Sequence, residues 1–115
     1  GNTGTFTGTS EYMRIGNTVF FEIRLTNIDT AGMTAGNSFF IRGLPFAVSG
    51  GRFTYCTVIT ENVTLAGHTV VGALDGGQSY IRLREMNSGG SSSIVTVGDL
   101  ASGTADIHLT GNYKT

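Results

Sequence analysis

The sequence predicts an all-β chain: an antiparallel β-sandwich, jelly-roll-like, of about eight short strands. Three observations predict it. Good helix formers are scarce, while Thr, Val, Ile, Phe and Tyr abound. The apolar residues recur with period two. Turn residues, led by 18 glycines, interrupt the chain at intervals of about 8–12 residues, the spacing of sandwiches and barrels.

Residues 1–10 read as a lead-in from a longer chain, and residues 11–115 as one β-sandwich domain. Residues 11–15 form the first strand, joined by Gly16-Asn17 to a second over residues 19–26. Glycine at the first central position suits a two-residue hairpin loop, because that position needs a positive φ. In the second strand Val19, Phe21, Ile23 and Leu25 share one face; Phe20, Glu22, Arg24 and Thr26 share the other. Residues 28–37 are loop-like. Residues 38–42 are a short strand, ended by Gly43-Leu44-Pro45-Phe46, since Pro45 has no amide for a central ladder. Ser49-Gly50-Gly51 turns into residues 52–60, where Phe53, Tyr55, Thr57 and Ile59 alternate with Thr54, Cys56 and Val58. Both faces are partly apolar, so this strand is expected to be central. A Gly67-His68 turn precedes residues 69–74, and Asp75-Gly76-Gly77 precedes residues 79–86. There Ile81, Leu83 and Glu85 alternate with Tyr80, Arg82 and Arg84. Residues 87–93 are a Gly/Ser loop, expected to be mobile. Residues 94–97 are short and apolar. Residues 104–113 close the chain, with Ala105, Ile107 and Leu109 inward and Asp106, His108 and Thr110 outward.

A chain of 115 residues is one domain by ordinary size and can bury its own core. No repeat or linker divides it. Charged residues are 13% of the chain, about half the usual share, and Lys114 is the only lysine. A net charge of −1 gives no footprint for nucleic acid or an anionic membrane surface. No apolar run is long enough for a membrane helix, so neither nucleic acid nor membrane insertion is expected. Low charge favours self-association. The first ten residues have no basic start and no apolar centre, unlike a signal peptide. Cys56 is the only cysteine and reads as a small buried hydrophobe.

Chemistry-bearing patterns are sparse. His68, His108 and Cys56 share no zinc-like spacing, and the aspartates at 29, 75, 99 and 106 are scattered, so no metal or cofactor is expected. No Gly-x-Ser-x-Gly elbow occurs. A glycosidase pair needs two converging carboxylates. Glu85 is the oddest of the eight acidic residues, because it shares a face with Ile81 and Leu83; a sheet-edge or interface ion pair is expected for it. Asn62-Val63-Thr64 fits a glycosylation sequon, relevant only to a secreted eukaryotic chain. No catalytic residue emerges. Tyr80, Arg82 and Arg84 on one strand face are the candidate site. They suit a glycan, through ring stacking and the guanidinium fork, or a subunit interface, where Tyr and Arg are enriched. Phe20 and Phe40, on otherwise polar or two-sided strands, also suggest a homo-oligomer.

Several segments, in order, carry a family likeness. Tyr12 to Val19 resembles the Tyr-x-(Arg/Lys)-Ile-Gly-Asn-x-Val hairpin of a small domain of bacteriophage tail fibres and tailspikes. Ile41-Arg42-Gly43-Leu44-Pro45-Phe46 is similar to that family's Ile-x-Gly-Leu-Pro-Phe. The strand from Tyr80 to Arg84 also fits, and Gly111-Asn112-Tyr113-Lys114-Thr115 resembles its closing Gly-x-Tyr-x-Thr. The resemblance spans residues 12–115 and implies a jelly-roll-like sandwich at the distal end of a trimeric fibre, with Thr115 as the true C-terminus. It implies a virion protein that trimerises and attaches to host-surface polysaccharide, with any depolymerising domain upstream. It carries no catalytic residues onto this chain. A stand-alone carbohydrate-binding module, or the non-catalytic C-terminal domain of a polysaccharide depolymerase, is the alternative.

Overall fold

A computed structural model of the chain describes residues 3–67 and 69–115. Eight strands follow in order: β1 (Thr5–Ile15), β2 (Thr18–Asp29), β3 (Phe40–Arg42), β4 (Phe53–Glu61), β5 (Val70–Asp75), β6 (Tyr80–Glu85), β7 (Ser93–Ile94) and β8 (Ala105–Lys114). A 3-10 turn over Val97–Asp99 is the only helical piece among the described residues. The expected sandwich-like, all-β architecture takes the form of one antiparallel sheet. Its order is β1-β2-β8-β4-β5-β6-β3, with β7 on β6, and it curls into a half-barrel.

All eight strands expected from the sequence are present. The largest difference is at the start. Residues 5–10, read as a lead-in, are the first half of β1 and pair with β2 as far as Asp29. Periodicity could not reveal them, because β1 is exposed along its whole length and so has no buried face to alternate. The hairpin loop is as expected, with Gly16 at φ +59°, and Arg14 Nε donates to the Gly16 carbonyl at 2.8 Å. The expected Gly67-His68 turn includes His68, which lies outside the described residues.

The core lies on the concave side. Val19, Phe21, Ile23 and Leu25 of β2 pack there with Ala105, Ile107 and Leu109 of β8 and Ile81 and Leu83 of β6. Period-two strands put these side chains on one face, and the curl closes them over one another. β2 carries a bulge before Ile28, where Asn27 takes φ +49° and its amide donates to Asp106 Oδ1 at 2.8 Å. Beyond it Asp29 accepts the Ala31 amide and the Ser102 hydroxyl, and these bonds hold its carboxyl below the usual range. The long loop is therefore tied to the turn before β8.

Strand β4 is the corner of the fold. Its residues 53–56 pair with β5, and its residues 57–61 pair with β8 on the other side. The switch falls at Cys56, wedged between Gly72 of β5 and Gly111 of β8. A Cβ on Gly72 would overlap the Cys56 sulfur, and one on Gly111 would sit 2.7 Å from the Cys56 Cβ. The two glycines are there because nothing larger lets three strands approach at the bend. Burial pushes the Cys56 thiol up to about 12. Since the thiolate is the reactive form, native protein titrated with a disulfide reagent at pH 8 should leave Cys56 unmodified. Denaturant should release it at once; rapid native labelling would contradict the packing.

One expectation for the β6 region is corrected within the chain. Glu85 makes no ion pair among the described residues. It is buried at the end of β6, and its Oε2 accepts the Gly67 amide at 3.1 Å. The carboxylate thus fastens a loop rather than facing a cation. The Gly/Ser loop after it carries hydrogen bonds of its own. Asn87 Nδ2 donates to the Ser91 carbonyl and the Ser93 hydroxyl at 2.8 Å each.

Candidate functional site

The row Tyr80, Arg82 and Arg84 faces the convex side of β6, opposite the buried Ile81, Leu83 and Glu85. The structure brings the two arginines together at a notch and sets the tyrosine apart. Tyr80 packs edge-on against Phe40 of β3, with ring centroids 4.8 Å apart. Arg82 and Arg84 line a cavity of about 230 Å³ with Phe53, Tyr55, Ala73, Asp75 and Ser92. Register explains the assembly. Tyr55 is paired with Ala73, which is paired with Arg82; Phe53 is paired with Asp75. The small Ala73 leaves a hollow between the tyrosine ring and the guanidinium.

Arg82 is held in place. Its Nη2 meets both Asp75 oxygens, at 2.7 and 2.9 Å, and its Nε is buried with no acceptor among the described residues. Arg84 donates through Nε and Nη2 to the Ser92 hydroxyl, at 3.0 and 2.8 Å. No carboxylate pairs with Arg84 among the described residues. On the other wall Phe53 and Tyr55 are 70% and 64% exposed. Sequence reasoning missed these two rings. Their spacing of two was visible, but Thr54, Cys56 and Val58 opposite them were equally plausible as the outward face. Asp75 read only as a turn residue and Ser92 only as loop.

A second surface lies where the half-barrel fails to close. β1 and β3 end the sheet and face each other across an apolar groove of about 430 Å³. Phe6 and Tyr12 form one lip and Phe40 and Pro45 the other. Phe21, Ile23 and Leu25 form the floor. Glu11 and Arg42 border the groove from the outer faces of β1 and β3, paired with Glu22 and Tyr80. Among the described residues β1 pairs only with β2, and its outer backbone edge has no partner. On its other face Met13 and Ile15 are exposed beside Phe20. A long edge strand bearing apolar side chains is a template for association.

Residues from three segments of the family likeness gather around Phe46, while Arg82 and Arg84 of the fourth line the notch. The Tyr12 ring meets it edge-on at 5.9 Å, the Arg14 guanidinium lies 4.6 Å from its ring centroid, and the Tyr113 hydroxyl donates to its carbonyl at 2.9 Å. Tyr113 also packs on Phe21 at 6.0 Å. These residues hold the first hairpin, the Leu-Pro-Phe segment and the last strand together, and none of them lines the notch.

The remaining candidates do not converge. Glu11 and Glu22 are paired across β1 and β2, but both are exposed on the convex face rather than in a cleft. His108 lies between Arg24 and Ile59 in that same face. Asn62 takes φ +57° and its side-chain amide donates to the Thr104 carbonyl at 3.0 Å. Among the described residues, no group of three or more His, Cys, Asp or Glu side chains stands where it could hold a metal ion. Comparison of the chain with protein-family models, with curated proteins and with solved structures finds no match.

Proposed function

We propose that this chain is a non-catalytic assembly and attachment domain of a bacteriophage tail fibre or tailspike. It joins three copies of itself and holds host-surface polysaccharide, on the virion and outside the cell. The observation that carries this reading is the open seam: β1, exposed along its whole length and with no partner on its outer edge among the described residues, beside an apolar groove floored by core residues. The occupant is a second copy of the chain. The seam has unlike lips, the long β1 on one side and the short β3 with Pro45 on the other, so a contact between copies sets the β1 lip of one against the β3 lip of the next. Such a head-to-tail contact closes into a ring when the rotation permits. The number three comes from the resemblance. The contacts at Phe46 support reading the motif segments as one fold signature.

The test is the mass of the protein in solution by light scattering, together with binding to an array of bacterial polysaccharides. A trimer is expected, and Phe6→Lys, at an exposed position on the lip, is expected to give a folded monomer. A monomeric wild type at high concentration would refute the assembly half. Failure to bind any polysaccharide would refute the attachment half. The exposed Phe53 and Tyr55 favour one second reading, a stand-alone carbohydrate-binding module, which predicts a wild-type monomer that binds glycan.

A further inference from the structure

We propose that the notch between Tyr55 and Arg84 is a subsite for a single carboxylated sugar, a uronate or sialate unit. This rests on the attachment reading above and names its chemistry. Three features of the notch converge on that ligand. The first is the pair of exposed rings. Phe53 and Tyr55 stand two residues apart on one strand face, roughly 7 Å apart along the strand, and present their apolar surfaces to solvent. Rings so placed pack against the C–H face of a pyranose, and Tyr adds a hydroxyl at its tip. The second is size. At about 230 Å³ the notch is smaller than the roughly 300–1,000 Å³ of a drug-sized pocket, and it accepts one ring rather than a folded oligomer.

The third feature is charge. Arg82 is neutralised by Asp75, a pair that fixes the guanidinium and leaves the Asp75 rim able to accept sugar hydroxyls. Arg84 is different. Its partner is the neutral Ser92 hydroxyl, which orients the fork without cancelling its charge. A planar fork with spare N–H groups matches a carboxylate in two parallel hydrogen bonds. A ring held by Tyr55 with its carboxylate on Arg84 uses both walls at once. The notch shares no lining residue with the seam, so a copy seated on the seam leaves the subsite free.

The experiment is titration of the full chain with methyl glucuronide, with methyl glucoside and with inorganic phosphate, followed by NMR and calorimetry. Methyl glucuronide is expected to perturb the Tyr55, Arg82 and Arg84 signals and to bind about tenfold or more tighter than the glucoside, as one charge-assisted contact requires. Arg84→Gln should erase that preference, while Tyr55→Ala should weaken both sugars together. Both side chains lie at the surface, and unchanged amide spectra elsewhere would show the variants folded. Equal binding of the two sugars, binding of phosphate as tight as glucuronide, or glucuronide binding unchanged in Arg84→Gln would overturn the proposal. Polysaccharide arrays separate the two levels. Binding by wild type that persists in both variants sinks the notch and leaves attachment standing; no binding by wild type sinks attachment as well.

Discussion

Tyr113→Ala is expected to cost about 3–5 kcal/mol, the range for removing a large buried ring. A chain of this length has only about 6–17 kcal/mol of stability in total, so the variant should sit near the folding threshold. The residue is 1% exposed in the last strand. Its ring fills the space beside Phe21, and its hydroxyl, buried deeply enough that its pKa is raised, holds the Phe46 carbonyl. Removing the ring leaves a cavity and an unpaired carbonyl together. It also frees Phe46, against which Tyr12 and Arg14 rest, so loss should spread to the first hairpin. Tyr113→Phe separates the effects, because it keeps the ring and should cost only about 1 kcal/mol. Urea midpoints of the three proteins decide the matter. A Tyr113→Ala midpoint within error of wild type would mean that the Phe46 junction does not hold the fold.

Gly72→Ala should be the second most damaging single change described here, though it adds only one methyl group. The new carbon would overlap the Cys56 sulfur and press on the Ile81 and Val58 side chains, 3.2 and 3.3 Å away. Overpacking of this kind costs about 1–3 kcal/mol, and more where the backbone cannot move. The backbone here is paired on both sides. Cys56→Ala removes the sulfur and makes room, so the double variant should be more stable than the sum of the two losses predicts. The coupling is expected on the order of 1–2 kcal/mol, within the range for residues in contact. Simple additivity in the denaturation cycle would mean that the sulfur is not what excludes a side chain at position 72.

Most of the fold was legible because its strands have one buried and one exposed face. Val19, Phe21, Ile23 and Leu25 announce β2, and Ala105, Ile107 and Leu109 announce β8, by alternation alone. What failed was legibility at the margins of burial. The first half of β1 has no buried face and therefore no signal. Periodicity put Glu85 on the buried face with Ile81 and Leu83, but its partner, the Gly67 amide, lies 18 residues away and gives no periodic signal. The site was half legible. Arg82 and Arg84 stood out because charges are few, and their shared face follows from spacing. Phe53 and Tyr55 did not, because β4 changes partner at Cys56 and both of its faces carry apolar side chains. Ala73, whose smallness makes the notch, means nothing until the register places it between Tyr55 and Arg82.

A sandwich whose layers are joined only by loops can part along the plane between them. Here β4 belongs to both layers, and each half of it carries one of the two ladders. To separate the layers, the chain must break hydrogen bonds inside a strand's own neighbourhood rather than straighten a linker. The two halves are therefore expected to unfold as one unit, with coincident thermal transitions by calorimetry and circular dichroism. A push on the notch reaches the seam through continuous backbone.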